Sequence, residues 1–415
     1  MKKYSYIVLA VLILACASCR ERVTGGRPVI PYVAGLLSDT TSYDYGILSM
    51  FNPANKAGSI AVIGEPEDAL FLTEQLLTSD RYDNIDGALR PDGLPDFAGE
   101  IFAPVLDVAN APYGGYFTHG NEDYLSEITV RNFLAVLDTA CFLSSYDTDR
   151  LVHKAPAKMV VLASSYSTAY GYFNIDTLCH VAGRDVPVIP LTRAMLDAAW
   201  NRYGNGINVG IWTTGDVLGA GIWSAAFPYA ARRHGDAKAT YSVFCPDSSA
   251  TVLDRFMNYM QMYAAAGNTA KISALVLDDP AVPLDSLRAA VSSVMKVDRD
   301  SYITWRNLLA DDFEIIDAGS AVASACYAYL RENNRFTHKV AYPDVKVYAT
   351  APVNGLPETA YGPDGWLTEE FRYNRASNVG DPTYSLVELK DKYLTEELRD
   401  RMIVRTPKLF SLYVQ

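Results

Sequence analysis

Short apolar runs alternate with amphipathic segments from Ser59 onward, and this alternation restricts the possible fold more than any other feature of the sequence. Most of the runs are rich in β-branched residues and end in Gly, Pro, Asp or Ser, which is typical of strands. Because polar and apolar positions alternate little within a run, we expect both faces to be buried, as in parallel sheets. The predicted strands are SIAVIG, EIFAPVLDV, KMVVLAS, VPVIPL, INVGIWT, ATYSVF, ISALVLD and FEIIDAG.

The segments between these runs have apolar residues at helical spacing, which predicts crossover helices that cover the sheets. They include EDALFLTEQLL, YLSEITVRNFLAVLDTA, TVLDRFMNYMQMYAAAG and PLDSLRAAVSSVM. The sequence therefore predicts an α/β fold. From about residue 346 the pattern changes to Pro, Gly, Asn and Tyr with one late helix, LVELKDKYLTEELRDRM, and we interpret residues 346–415 as a C-terminal extension.

Composition excludes several kinds of partner. The 415 residues, 49% of them hydrophobic, suffice for two or three domains with ordinary cores. A formal charge of −12 without a Lys/Arg cluster argues against nucleic acid. The five histidines are scattered, and beyond the predicted signal peptide, whose Cys16 and Cys19 are spaced as CxxC, no CxxC or HExxH motif occurs, so the sequence predicts no metal site and no cofactor.

The N-terminus, MKKYSYIVLAVLILACASC, has two lysines followed by an apolar stretch that is too short to cross a bilayer. This pattern predicts a signal peptide over residues 1–19, followed by a polar lead over residues 20–57. Ile-Leu-Ala-Cys at its end resembles a bacterial lipobox, which predicts lipidation at Cys16 and a membrane-anchored protein of the bacterial cell envelope, facing the periplasm or the surface. Cys19 is the alternative site, and a plain secretory signal with neither cysteine lipidated stays open.

Two adjacent carboxylates end one of the predicted strands, in the stretch ALVLDDPAVPL. Ligands of open α/β sheets usually bind beyond the carboxyl ends of the strands, so Asp278 and Asp279 are candidate ligand-binding residues. A structural interpretation is also available, because Asp279-Pro280 can start a turn and Asp285 can cap the next helix.

The strand ends, taken in order, resemble those of glutamate racemases and the wider aspartate/glutamate racemase superfamily. The matching stretches are LDVANAPYGG, DVPVIPL, INVGIWTTGDVLGAG, FCPDSS, LVLDDPAVPL and EIIDAGSAVA. The resemblance implies two pseudo-symmetric parallel-sheet α/β domains with an interdomain cleft. Domain A would take residues 58–190, completed by about 315–345, and domain B would take residues 191–314.

The chain departs from the family where the chemistry takes place. The resemblance implies two cysteines that exchange a proton with opposite faces of the substrate α-carbon. In this sequence the first cysteine corresponds to Ser164 or Ser165, and the second corresponds to Asp279. A serine hydroxyl cannot serve as a base unless another group activates it. We therefore expect two-base racemisation to be lost.

Other positions complete the candidate site. The family's Asp-Ser pair after the first strand corresponds to Gly64 and Glu65, whereas the loop with Tyr113 and Gly114 and the position of Thr214 match the substrate-holding pattern. The predicted ligand-binding residues are Glu65, Tyr113, Gly114, Ser164, Ser165, Thr214, Asp278 and Asp279.

These observations favour an envelope lipoprotein that binds a small solute between its domains and does not racemise amino acids. The acidic pair would repel a dicarboxylate and favour a cationic or hydroxyl-rich ligand. Two alternatives stay open. One is an active racemase, isomerase or lyase with Asp279 as its base. The other is an interaction module whose partner protein contacts the Tyr-rich C-terminal extension.

Lipidation at Cys16 is directly testable. A Cys16→Ala variant should lose metabolic labelling by a fatty-acid analogue, because the thiol that carries the lipid is gone. Cys19→Ala is the matched control and should keep the label. Labelling that persists in Cys16→Ala and disappears in Cys19→Ala would move the site by three residues.

Overall fold

The computed structural model describes residues 29–144, 147–247, 251–297, 299–339, 341–375 and 382–414. The predicted signal peptide, with Cys16 and Cys19, lies outside them. The strands are β1 (Ser59–Gly64), β2 (Ile101–Leu106), β3 (Ala140–Ser144), β4 (Asp147–His153), β5 (Ala157–Leu162), β6 (Val188–Pro190), β7 (Asn208–Thr213), β8 (Thr240–Phe244), β9 (Ile272–Asp278), β10 (Leu309–Asp317), β11 (Asp344–Val345), β12 (Tyr348–Pro352) and β13 (Tyr384–Glu388).

Helices connect these strands. They are α1 (Pro31–Ser38), α2 (Tyr43–Met50), α3 (Pro66–Thr78), α4 (Gly114–Thr118), α5 (Glu122–Leu137), α6 (Ser165–Tyr170), α7 (Tyr172–Val181), α8 (Leu191–Tyr203), α9 (Gly215–Gly219), α10 (Ile222–His234), α11 (Val252–Ala265), α12 (Leu284–Lys296), α13 (Asp300–Arg306), α14 (Ala318–Glu332), α15 (Glu369–Tyr373), α16 (Glu396–Arg405) and α17 (Pro407–Tyr413). Among the described residues, no helix is long and apolar enough to cross a membrane.

The first sheet is parallel at its centre, as the sequence predicts. Strand β1 pairs in parallel with β2 and β5, and β6 adds to β5 in the same direction. The register pairs Gly64 with Leu106 and Ile63 with Leu162, so the three strands end at the same edge. Residues of β1 alternate between two cores on opposite faces, which explains why the run is apolar throughout.

The second sheet consists of β7, β8, β9 and β10, in the order β10-β9-β7-β8, and every pairing is parallel. One face carries Ile211 and Val276, which belong to the same core as Ile60 and Val62 of the first sheet. The opposite face, with Trp212, packs in a core of its own under α11 and α12. The structure therefore has the predicted α/β class, with a first sheet that is parallel at its centre and a second sheet that is parallel throughout, joined through a shared core.

The residues assigned from the sequence to a C-terminal extension contribute to the first sheet. Strand β12 pairs in parallel with β2, and β13 pairs antiparallel with β12 and parallel with β3. The predicted late helix is only partly helical, because its first residues form β13 and the helix begins at Glu396. The pairing of Tyr384–Glu388 with β12 buries Tyr384, Leu386 and Val387, which outweighs the local helical pattern.

Candidate functional site

A cavity of about 500 Å³ lies where the carboxyl ends of strands from both sheets meet. Residues that follow β1, β2, β5 and β6 form one side, and residues that follow β7 and β9 form the other. Parallel strands place their carboxyl ends at one edge of a sheet, so this location is the one expected for a ligand site. Its volume falls within the range of small-molecule sites, about 300 to 1,000 Å³.

Six of the eight predicted ligand-binding residues line this cavity, namely Glu65, Gly114, Ser164, Ser165, Thr214 and Asp278. Tyr113 is buried behind the cavity wall, and Asp279 lines a neighbouring cavity of about 660 Å³. Sequence reasoning missed four polar lining residues, Asp68, Thr118, Tyr166 and Asp216. Each follows a predicted residue by one to four positions in a helix, and this spacing could have identified them.

Asp278 ends β9 and points into the cavity. Its carboxylate accepts hydrogen bonds from Ser165 Oγ at 2.9 Å, from Trp223 Nε1 at 2.7 Å and from Thr213 Oγ1 at 3.1 Å. Burial raises the pKa of Asp278 to about 6, although these hydrogen bonds oppose the shift. The Ser165 bond crosses from the first sheet to the second, so Asp278 also joins the two walls of the cavity.

Asp279 turns the other way, as expected for neighbours at the end of a strand. Its carboxylate forms an ion pair with the Arg255 guanidinium at 2.8 Å, and both side chains are nearly buried. Trp212 Nε1 donates to the same carboxylate at 3.3 Å, and the backbone N–H of Ala281 donates at 3.0 Å. The last bond is the turn that the structural interpretation of Asp279-Pro280 predicts.

Two further carboxylates stand at the start of α3. Glu65 Oε1 accepts the backbone N–H of Tyr113 at 3.0 Å, which draws the loop after β2 against the end of β1. Burial raises the pKa of Glu65 to about 7, and the negative charges of Asp107 and Asp216 add to this shift. Burial also raises the pKa of Asp68, as do the nearby carboxylates of Glu65 and Asp278.

The loop at Pro112, Tyr113 and Gly114 belongs to the side of the cavity that the first sheet forms. The Ala111–Pro112 peptide bond in this loop is cis. Tyr113 Oη donates to the buried Asp107 carboxylate at 2.7 Å. From the other side, Tyr373 of α15 donates to the Pro112 carbonyl at 2.8 Å, and the Arg372 guanidinium donates to the Ala111 carbonyl. The C-terminal region therefore fixes the loop that shapes the cavity.

Hydroxyl groups accompany the carboxylates. Ser164 is the N-cap of α6 and accepts the backbone N–H of Tyr166 at 3.3 Å, whereas Ser165 gives its proton to Asp278. Tyr166 is 6% exposed, and its hydroxyl has no hydrogen-bond partner among the described residues. Thr214 precedes α9 without capping it through its side chain.

The charge of the cavity is uniformly negative. Four carboxylates line it, from Glu65, Asp68, Asp216 and Asp278, and no Lys, Arg or His is present among its described lining residues. Over the part of the chain that the structure describes, no group of three or more His, Cys, Asp or Glu side chains is placed to hold a metal ion. The cavity can therefore attract a cation or accept hydrogen bonds, but it offers no cationic side chain to a carboxylate.

Solved racemase structures are similar to this chain in fold. A glutamate racemase isoform from Bacillus anthracis shows 14% identity and a TM-score of 0.42, over 71% of this chain and 89% of that one. The glutamate racemase of Francisella tularensis in complex with D-glutamate gives the same identity, coverage and TM-score. Picrophilus torridus aspartate racemase shows 11% identity and a TM-score of 0.33, over 67% of this chain and 94% of that one.

No protein-family model matches the chain, and no curated protein matches it. The racemases are the family that the strand-end motifs resemble, and the similarity is one of fold. What the cavity binds depends on this chain's own side chains.

The raised pKa of Glu65 predicts how stability should change with pH. A carboxyl that holds its proton more tightly when folded favours the native state at low pH, and this contribution is lost as the pH rises through about 7. Glu65→Gln stays neutral and can still accept the Tyr113 N–H. Relative to wild type, its free energy of unfolding should therefore rise by roughly 2 kcal/mol between pH 5 and pH 8.

Urea denaturation of both proteins at the two pH values measures this difference. Glu358→Gln is the matched control, because Glu358 is exposed and should give the same difference at both pH values. A Glu65→Gln variant whose relative stability does not change with pH would show that this carboxyl has an ordinary pKa.

Proposed function

We propose that the protein binds a small cationic or neutral solute in the cavity between its two sheets and does not racemise amino acids. The observation that carries the proposal is the set of four lining carboxylates without a lining cation. Burial raises the pKa values of Glu65, Asp68 and Asp278, and the negative charges of nearby carboxylates add to each shift, so a cationic ligand would be attracted to this cavity.

The same charges argue against glutamate and aspartate as ligands. Each of these amino acids brings two carboxylates and one ammonium group into a cavity that already holds Glu65, Asp68, Asp216 and Asp278. Burying a carboxylate without a paired cation or sufficient donors is strongly unfavourable. The cavity therefore favours molecules whose net charge is positive or zero.

The loss of racemisation is supported by the groups at the two cysteine positions. A serine hydroxyl cannot serve as a base unless another group activates it, and the described lining residues include no His or Lys that could do so. Ser165 donates its proton to Asp278. Asp279 is paired with Arg255, which leaves it no role as a free base facing the cavity. A proton donor and a proton acceptor on opposite faces of an α-carbon are thus not provided by these residues.

A second candidate function is one-sided acid–base catalysis. It is favoured by the pKa of Glu65, about 7, and by that of Asp278, about 6, because a general base works best when its pKa lies near the working pH. These two carboxyls come from different sheets and line the same cavity. The chemistry of such a pair would be an isomerase or lyase reaction on a cationic or neutral substrate.

We also propose that the protein is a lipoprotein of the bacterial cell envelope. The support is the sequence of residues 1–19, with its short apolar stretch and Cys16. A solute-binding domain held at a membrane by its N-terminus would be consistent with a described chain in which no helix can cross a bilayer.

A charge series of amino acids tests the binding proposal. L-lysine should raise the melting temperature at pH 8, L-glutamine should raise it less, and L-glutamate should not raise it. A ligand at 100 times its dissociation constant stabilises the native state by roughly 2.7 kcal/mol. Asp278→Asn should weaken lysine binding about 10- to 100-fold, because it removes a charged acceptor from the cavity.

Asp311→Asn is the matched control, since the Asp311 side chain is 97% exposed and lies away from the cavity. Lysine binding should be the same in this variant as in wild type. Stabilisation by glutamate equal to that by lysine, and unaffected by Asp278→Asn, would contradict both the charge argument and the location of the site.

Isotope exchange separates binding from catalysis. In heavy water, incubation with L- or D-glutamate, or with L-lysine, should leave the α-proton signal intact in the NMR spectrum. A positioned proton-transfer group contributes roughly 10²- to 10⁴-fold, so even partial activity would be visible. Deuterium uptake that disappears in Glu65→Gln or Asp278→Asn would establish the catalytic alternative, and uptake that disappears in Asp279→Asn would identify that residue as the base.

A further inference from the structure

Two hydroxyl groups of the cavity have no side-chain hydrogen-bond partner among the described residues, and they restrict the functional groups of the ligand as well as its charge. Tyr166 is 6% exposed, lines the cavity and has a hydroxyl without a hydrogen-bond partner among the described residues. This hydroxyl lies beside the cavity wall, since a Cβ atom added at Gly114 would be 3.1 Å from Tyr166 Oη. A buried polar group without a partner costs free energy, so a ligand that supplies one is favoured.

Thr214 carries the second hydroxyl group, and it lies on the side of the cavity that the second sheet forms. It lines the cavity at the start of α9, and its side chain does not cap that helix. Ser165 differs from both, because its proton is already given to Asp278. The side of the cavity formed by the first sheet and the side formed by the second sheet therefore each present one hydroxyl group that is available to a ligand.

The carboxylates of the cavity differ from these hydroxyl groups in the hydrogen bonds that they can form. Asp68 and Asp216 line the cavity, and neither side chain accepts a hydrogen bond from the described residues. Carboxylates only accept hydrogen bonds when ionised, whereas a phenol or an alcohol can both donate and accept. Burial and the charges of Asp216 and Glu65 raise the pKa of Tyr166, so its hydroxyl keeps the proton that it would donate.

We propose that the ligand is a compact polyhydroxylated amine, of the chemical class of the amino sugars. Its ammonium group would contact the carboxylates, and its hydroxyl groups would accept from Tyr166 and Thr214 while donating to the remaining carboxylate oxygens. A simple alkylammonium ion satisfies the charge but leaves both hydroxyl groups without an acceptor. A neutral sugar satisfies the hydroxyl groups but leaves the carboxylate charge uncompensated. This inference rests on the proposed binding function and narrows its ligand.

Three probes with six-membered rings separate these requirements, namely D-glucosamine, D-glucose and cyclohexylamine. Isothermal titration calorimetry on the full chain, at pH 7, gives a dissociation constant for each. Glucosamine should bind at least 10-fold more tightly than either of the other two. Glucosamine is also partly deprotonated near pH 8, so the lower pH keeps its ammonium group charged.

Tyr166→Phe removes only the hydroxyl group. It should weaken glucosamine binding roughly 3- to 10-fold, the value of one hydrogen bond, and leave cyclohexylamine binding unchanged. Tyr116→Phe is a matched control, because Tyr116 is fully buried, also has a hydroxyl without a partner among the described residues, and does not line the cavity. That control should bind glucosamine as wild type does.

The outcomes distinguish a failure of the amino-sugar assignment from a failure of the proposed binding function. If cyclohexylamine binds as tightly as glucosamine, and Tyr166→Phe changes neither, the hydroxylated class is overturned while cation binding stands. If glucose binds as tightly as glucosamine and Asp278→Asn has no effect, the amine requirement is overturned. If none of the probes binds and lysine also fails to stabilise the protein, the proposed function itself is overturned. Equal losses in Tyr166→Phe and Tyr116→Phe would overturn the assignment of Tyr166 as a ligand contact.

Discussion

The buried carboxylate of Asp107 holds together the parts of the first sheet on which the cavity depends. It lies just after β2, is fully buried, and accepts hydrogen bonds from Tyr113 Oη at 2.7 Å and Asn132 Nδ2 at 2.8 Å. Thr350 Oγ1 of β12 donates to it at 2.7 Å as well. Burial raises the pKa of Asp107, and these donors are what allow a carboxylate to remain there. Tyr113 connects Asp107 to the cavity, because its backbone N–H donates a hydrogen bond to Glu65 Oε1 at 3.0 Å.

Adjacent aspartates at the end of β9 illustrate how one sequence motif can serve two purposes. Asp278 faces the cavity and Asp279 faces a core with Trp212 and Arg255, because successive side chains of a strand point to opposite sides. The functional and the structural interpretations of the motif are therefore each supported at one of its two residues. The alternation was visible in the sequence, but the partner that decides the role of Asp279, Arg255, is 24 residues away in the chain.

Local patterns predicted the fold class because the central strands are buried on both faces. Strands of this kind consist of nearly continuous runs of apolar residues, which are visible in the sequence. Local patterns did not predict that β12 and β13 belong to the first sheet. Strand β12 pairs with β2 across more than 240 residues, since Ala349 is in register with Leu106, and no local signal encodes such a pairing. The helix predicted over residues 386–402 failed at its start for the same reason, because β13 owes its conformation to a neighbouring strand. Among the site residues, Glu65 and Asp278 followed from their positions at strand ends, whereas Tyr166 became notable only once its unpartnered hydroxyl could be seen.

The two carboxyls with pKa values near neutrality line the same cavity. Glu65 and Asp278 have pKa values of about 7 and about 6, so near neutral pH each carboxyl is divided between its charged and neutral forms. A bound ammonium group would lower both pKa values by stabilising the charged forms, so that ligand binding would release protons. Ser165 meanwhile ties Asp278 to the opposite wall, which limits how far the two sheets can separate around a ligand. Under the proposed function, a cation would lie between the two sheets, and the acidic groups of the cavity would serve recognition more directly than proton transfer at a carbon atom.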